Sequence, residues 1–145
     1  MPSVLFDSSI YIAALRIGHD AALALRRLAK GESIWLSSVV LEELYTGANP
    51  KNRHIVERFE RDFDRAGRVL VPNLKDWAQA GKVLALLAAK YDFEKIGRGR
   101  LTNDALIAMS AARTGMTVIT ANARDFERLA EFRPFPWKIE TTMNG

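Results

Sequence analysis

Four acidic residues occupy positions at which an α/β fold presents side chains to a ligand. Asp7 directly follows a short apolar run, and Asp125 lies just beyond a β-branched one. Asp104 falls in the first turn of a predicted helix, and Glu43 lies on another helix that follows a predicted strand. In parallel α/β sheets, ligands bind beyond the carboxyl ends of the strands. We therefore predict that these four acids converge at one edge of a sheet.

Glu43 is distinguished from its neighbour Glu42 by helical geometry. In the predicted helix 39–48, Glu42 shares a row with polar residues, whereas Glu43 shares one with Val39 and Val40 and should turn inward. Burial of an unpaired carboxylate costs several kcal/mol. Glu43 thus needs a partner, for which a metal cation and an Arg or Lys side chain are both open.

Simple structural roles are open for the other acids as well. Asp7 could cap the helix that follows it, Asp104 could complement a helix dipole, and Asp125 could open the next helix. These local roles do not explain why the acids should meet at one edge.

A cluster of carboxylates without histidine or cysteine forms a hard oxygen ligand set. Such a set suits Mg²⁺, for which Mn²⁺ substitutes, and suits zinc poorly. One ion would activate a water as nucleophile, and a second would stabilise the leaving oxygen of an in-line displacement at phosphorus. We therefore predict that Asp7, Glu43, Asp104 and Asp125 bind metal and take part in catalysis.

Polar and basic neighbours could bind the substrate or orient the attacking water. Glycines flank the arginines of the predicted flexible loop 94–100, and these arginines can reach phosphate oxygens. The predicted supporting residues are Ser8, Thr120, Asn122, Arg98, Arg100 and Arg124.

Strands and helices alternate along the chain. The predicted strands are 3–6, 34–36, 68–71 and 117–120, and the predicted helices are 10–17, 21–30, 39–48, 53–66, 74–91 and 103–114, with a short helix after Phe126 and a closing edge segment at 134–139. In helix 74–91 we assign Trp77 to the core. This pattern predicts an α/β three-layer sandwich, a short and mostly parallel sheet flanked by helices, in a single domain over 1–145.

Composition restricts the class of protein. The net charge of +4 and pI near 9.6 favour a polyanionic partner. The absence of cysteine excludes disulfides and thiolate metal sites and fits a cytoplasmic protein. No basic leader precedes Asp7, and no apolar run reaches membrane-spanning length, so we expect neither secretion nor a membrane anchor.

Four segments carry a resemblance to a known family. VLFDSSIYI, LSSVVLEELYTGA, LTNDALIAMSA and TVITANARDF surround the acids in order, and together they resemble the PIN-domain ribonucleases, specifically the VapC-type toxins of toxin–antitoxin pairs. The resemblance implies an Mg²⁺- or Mn²⁺-dependent endoribonuclease with Asp7, Glu43 and Asp104 as principal acids. It also implies a homodimer inhibited by a cognate antitoxin. Many relatives have an acid where this chain has Asn122, so the fourth acid is either Asp125 or dispensable.

Three other functions compete with this one. A haloacid dehalogenase-like phosphotransferase needs a second aspartate two residues after Asp7, where Ser9 stands. A metal-free ribonuclease using His19 and His54 is disfavoured because the two residues share no structural edge. The third is a PIN-like subunit with weak catalysis that binds nucleic acid or regulates, partnered with an antitoxin-like protein. Asn122 leaves this function open, because it takes the place of an acid and leaves the site sparse in carboxylates for efficient cleavage.

Overall fold

The chain is described by a computed structural model that covers residues 2–92 and 98–140, without the side chains of 98–100. The predicted α/β architecture is confirmed, since a sheet of five parallel strands is flanked by helices. The strands are β1 (Ser3–Phe6), β2 (Ser33–Ser37), β3 (Val69–Leu70), β4 (Thr117–Thr120) and β5 (Trp137–Ile139). The helices within the described ranges are α1 (Ser8–Leu15), α2 (Ala21–Ala29), α3 (Ser38–Gly47), α4 (Arg53–Arg65), α5 (Leu74–Tyr91), α6 (Arg98–Thr114) and α7 (Ala123–Phe132).

The first strand is the centre of the sheet, whose order is β3-β2-β1-β4-β5. Leu5 of β1 pairs with Trp35 on one side and Val118 on the other, and Val4 to Phe6 are fully buried. Continuous apolar character is expected of a parallel strand covered by helices on both faces. Because the chain leaves β1 for β2 on one side and later enters β4 on the other, the carboxyl ends of β1 and β4 form a topological switch point.

An ion pair fixes α6 against α5. Asn73 and Asp76 form a capping box at the start of α5, in which each side chain accepts a hydrogen bond from the other residue's backbone N–H. Asp76 is also buried beneath Arg113 of α6, whose guanidinium binds both carboxylate oxygens at 3.0 Å. This contact fixes the helix that carries Asp104.

Several predicted boundaries were wrong. The predicted helix 103–114 begins earlier, at Arg98, so residues 98–100 of the predicted flexible loop are helical, while 94–97 lie outside the described residues. The last helix begins at Ala123, before the predicted start after Phe126.

The assignment of Trp77 to the core was also wrong, since its side chain is 56% exposed. Trp77 lies in the first turn of α5, beside Val71 and Pro72 at the edge of the sheet, where the short β3 offers little surface to cover it. None of the helices within residues 2–92 and 98–140 combines the length and apolar character needed to cross a membrane.

Candidate active site

A small polar cavity of about 100 Å³ lies beyond the carboxyl ends of β1 and β4. We call it the acidic cavity, and its lining consists of Asp7, Ser8, Ser9, Ile12, Glu43, Asp104, Asn122 and Phe126. Three of the four predicted acids therefore meet at one edge of the sheet, although they come from three separate parts of the chain. Their roles in metal binding and catalysis stay predictions.

Asp7 is a buried carboxylate held from several sides. Ile10 N–H donates to its Oδ1 at 3.4 Å, so Asp7 does cap α1. Ser9 Oγ also donates to Oδ1, and Thr120 Oγ1 donates to Oδ2 at 2.6 Å. Burial raises the pKa of Asp7, and the hydrogen bonds from Ser9, Thr120 and the backbone oppose that rise. Asp7 thus combines the capping role with a place in the acidic cavity.

Thr120 lies behind Asp7 and is fully buried. Its hydroxyl accepts a hydrogen bond from Asn122 N–H at 2.9 Å. The Asn122 carbonyl lies 3.1 Å from the same hydroxyl, but the closer, charged Asp7 oxygen is the stronger acceptor for its proton. This arrangement places Thr120 among the groups that hold Asp7.

Glu43 turns inward on α3 as its helical row predicted, while Glu42 is exposed. Its Oε1 is buried and has no hydrogen-bond partner, and no cation contacts Glu43 among the side chains that the structure describes. Burial raises the pKa of Glu43, and the charges of Asp7 and Glu42 raise it further. Hydrogen bonds to Asn103 and Ser8 oppose the rise. Asn103 is a site neighbour that the sequence reasoning missed, although it directly precedes Asp104.

Asp104 is half-buried on the cavity side of α6. Because α6 begins at Arg98, Asp104 lies in the second helical turn and not in the first. The favourable effect of a helix dipole on an acid falls off within the first turn. The structural alternative for Asp104 is therefore weakened.

The remaining predicted residues divide between the cavity and its surroundings. Asn122 lines the acidic cavity, whereas Asp125 does not and instead lies half-buried in the first turn of α7. An acid at that position complements the helix dipole. Arg124 is exposed, and the side chains of Arg98 and Arg100 lie outside the described residues. Of Asn122 and Asp125, the structure thus brings Asn122 to the three acids.

The donor set of the acidic cavity fits a hard divalent cation. Its candidate ligands are oxygens, and the buried Glu43 Oε1 lacks a partner. Within the described residues no three acids are close enough to one another to form a complete site. Mg²⁺ does not require one, because it keeps several waters and commonly binds to one or two carboxylates.

Other features of the chain do not offer the same chemistry. A groove of about 340 Å³ lies between α2, β2 and α4 and is lined mainly by apolar residues, with charges of both signs beside them. His19 is exposed, with its Nε2 3.6 Å from Oδ2 of Asp20, and His54 is exposed on α4. Neither histidine lines the acidic cavity, so the structure does not favour a histidine-dependent ribonuclease.

Comparison with known proteins identifies the family. The sequence profile of the PIN domain matches residues 4–132. The chain belongs to the PIN-domain family. PIN domains are nucleases, so the acidic cavity lies in a chain whose family cleaves nucleic acids.

Solved structures share the PIN-domain fold over nearly the whole chain. A DNA-bound VapBC complex from Salmonella typhimurium gives a TM-score of 0.69 at 23% identity, covering 96% of this chain and 98% of that one. VapBC2 from Rickettsia felis, bound to a promoter DNA fragment, gives a TM-score of 0.67 at 24% identity, covering 95% of this chain and 98% of that one. FitAcB from Neisseria gonorrhoeae gives a TM-score of 0.64 at 21% identity, covering 92% of this chain and 95% of that one. At these identities the similarity shows the fold alone, and none of the curated proteins matches the chain significantly.

Proposed function

We propose that this PIN-domain chain is an endoribonuclease that depends on Mg²⁺, for which Mn²⁺ substitutes. One observation carries the proposal: carboxylates from three separate segments line one polar cavity, and a buried oxygen of Glu43 there has no hydrogen-bond donor. Mutual repulsion and burial disfavour three ionised acids in such a space unless cations are present. Asp7, Glu43 and Asp104 are the residues that would hold the ion.

The chain's own side chains have distinct tasks in this proposal. When bound, the ion supplies an activated water and neutralises charge on the scissile phosphate. Ser9 and Thr120 orient Asp7, while Asn103 and Ser8 orient Glu43. The products carry a 5′-phosphate and a 3′-hydroxyl.

Asn122 and the basic residues would contact the RNA. The Asn122 side chain lines the cavity and can donate to a phosphate oxygen or to the attacking water. Arg124, exposed two residues further along the chain, can pair with a flanking phosphate. Arg98 and Arg100 stay predicted phosphate contacts, and Asp125 stays a predicted ligand that the cavity geometry does not favour.

The biological setting of the proposal is a toxin–antitoxin pair. Structures that share this fold include VapBC complexes, and one from Mycobacterium tuberculosis is described as a member of the VapBC family of toxin–antitoxin systems. We extend this setting to the chain: a cytoplasmic toxin, homodimeric, inhibited by a cognate antitoxin protein. The open reading frame directly upstream of the gene is the first place to look for the antitoxin, and co-expression with its product, followed by size-exclusion chromatography, would test for the complex.

Cleavage of defined RNAs tests the enzymatic proposal directly. Wild type is assayed in Mg²⁺ or Mn²⁺ and in EDTA, beside Asp7→Asn and Asp104→Asn and with Glu42→Gln as the matched control. We expect cleavage that requires metal and is lost in the two aspartate variants, whereas Glu42→Gln retains it because Glu42 is exposed outside the acidic cavity. Equal activity of wild type and both aspartate variants would refute the assignment.

A second function is favoured by Asn122 and by the lack of three closely grouped acids in the described residues. It is a nucleic-acid-binding or regulatory subunit with little cleavage activity, partnered with an antitoxin-like protein. Metal-independent RNA binding without cleavage by the wild type would favour this function over the enzyme.

A further inference from the structure

The adjacent serines at the start of α1 serve different acids. Ser8 hydrogen-bonds to Glu43, whereas Ser9 Oγ donates to Oδ1 of Asp7. The same Ser9 oxygen accepts the backbone N–H of Ala121 at 3.0 Å. One hydroxyl therefore joins the segment that follows β1 to the segment that follows β4.

Thr120 makes an equivalent connection to the other oxygen of Asp7. Its hydroxyl donates to Oδ2 at 2.6 Å and accepts the N–H of Asn122 at 2.9 Å. Each hydroxyl thus receives one backbone N–H and gives its proton to one carboxylate oxygen. The plane of the Asp7 carboxylate is consequently tied to two consecutive amides, those of Ala121 and Asn122.

The contacts of Ser9 differ from those of an ordinary serine in the first turn of a helix. Such a serine commonly bonds to backbone groups nearby in its own helix. Ser9 instead bonds to an amide 112 positions away in the chain and to an acid of the cavity. Local helix stability therefore does not account for its geometry.

From this geometry we infer that Ser9 is a positioning residue, which prepares the Asp7 carboxylate for cation binding by tying it to the loop after β4. The inference rests on the proposed metal-dependent function. Groups that orient a metal ligand typically change metal affinity about 10- to 100-fold when they are removed. Ser9 would act in this way through Asp7, without itself touching the ion.

The test uses two readouts on the full chain. Mn²⁺ affinity is measured by titration calorimetry, and the exchange rate of the Ala121 amide is measured by NMR in metal-free buffer. The variants are Ser9→Ala, Ser9→Thr and the matched control Ser110→Ala, which removes a buried hydroxyl that donates to the carbonyl of Leu106.

We expect Ser9→Ala to weaken Mn²⁺ binding about tenfold and to accelerate exchange at Ala121. Ser9→Thr retains the hydroxyl and should restore both values, and Ser110→Ala should alter neither. If Ser9→Ala does not fold, Ser9→Cys keeps a weaker donor at the same place and should give intermediate values.

The outcomes separate this inference from the function on which it rests. Wild-type Mn²⁺ affinity in Ser9→Ala, with or without a lower unfolding temperature, would make Ser9 merely structural and overturn the inference alone. Unchanged Ala121 exchange in Ser9→Ala would overturn the connection between the two segments. A wild type that binds no Mn²⁺ would refute the proposed function and the positioning role together.

Discussion

Replacing Thr120 by valine removes one of the two hydroxyls that hold Asp7 while keeping the shape of the side chain. Thr120 is fully buried and Asp7 is 5% exposed, so the valine leaves Oδ2 of Asp7 without the buried donor that the structure gives it. A hydrogen bond to a charged group contributes about 1.5–3 kcal/mol, and the buried site places this one in the upper part of that range. We expect the free energy of unfolding of metal-free protein to fall by about 2–3 kcal/mol at neutral pH.

The unfolding temperature should fall accordingly. With an unfolding entropy of about 2.1 cal/mol/K for each of the 145 residues, 2–3 kcal/mol corresponds to about 7–10 °C. Urea unfolding and differential scanning calorimetry in EDTA would measure both quantities. Thr117→Val is the matched control, because Thr117 begins the same strand and donates no side-chain hydrogen bond among the described residues.

The loss should also depend on pH. Burial raises the folded-state pKa of Asp7 above its ordinary value of 3.8, so ionisation of Asp7 lowers stability as the pH rises through the raised pKa. The Thr120 hydroxyl limits this effect, and its removal raises the pKa further. The difference in free energy of unfolding between Thr120→Val and wild type should therefore be largest at a pH above the raised pKa of Asp7 in the variant. The difference should shrink as the pH falls and Asp7 becomes protonated in both proteins. A variant within about 0.5 kcal/mol of wild type at neutral pH would refute the view that Thr120 stabilises an ionised Asp7.

Three further changes test other parts of the structure. Glu43→Gln should keep or raise the unfolding temperature in EDTA, because burial and the charges of neighbouring acids raise the pKa of Glu43. The same variant should lose most of the rise in unfolding temperature that Mn²⁺ causes in the wild type, as measured by thermal shift. Asn122→Asp adds an acid to the cavity, so calorimetry should show tighter Mn²⁺ binding and urea unfolding a less stable metal-free protein. Arg113→Ala leaves the buried Asp76 without its ion-pair partner and should cost about 2 kcal/mol by urea unfolding, less than for a fully buried pair because the arginine is 36% exposed.

Each of these changes has a control in the same chain. Glu42→Gln should retain the Mn²⁺ response, and an equal loss in both glutamate variants would point to net charge and not to the cavity. Unchanged Mn²⁺ binding in Asn122→Asp would place position 122 away from the ion. Arg61→Ala breaks an exposed 3.8 Å pair with Asp62 and should cost less than about 0.5 kcal/mol; a similar cost for Arg113→Ala would mean that Asp76 does not depend on its arginine.

The features that sequence reasoning predicted well depend on local periodicity and strand–helix alternation. Helical rows separated the inward Glu43 from the exposed Glu42, and alternation placed Asp7 and Asp104 at one edge. The predicted place of Asp125 depended on where a helix begins, and this boundary lies at Ala123. Local patterns define the face of a helix more securely than its ends.

Features that depend on contacts between separate elements could not be predicted from the sequence. The role of Ser9 requires β1 and β4 to be adjacent, and strand order is not readable from periodicity. Trp77 has the spacing of a core residue, but only the tertiary structure shows how little of the sheet lies beneath it. Asn103 was missed because its partner Glu43 lies on another helix.

The hydrogen bond between Asp7 and Thr120 joins residues 113 positions apart. Bringing such distant segments together costs loop-closure entropy, and contacts offset this cost only when β4 packs beside β1. A chain folded only through its first half would possess Asp7 and Glu43 but neither the hydroxyl nor the amides of the β4 segment. The assembled site, and the cleavage proposed for it, would therefore require completed folding, and a partly folded chain would lack the proposed activity.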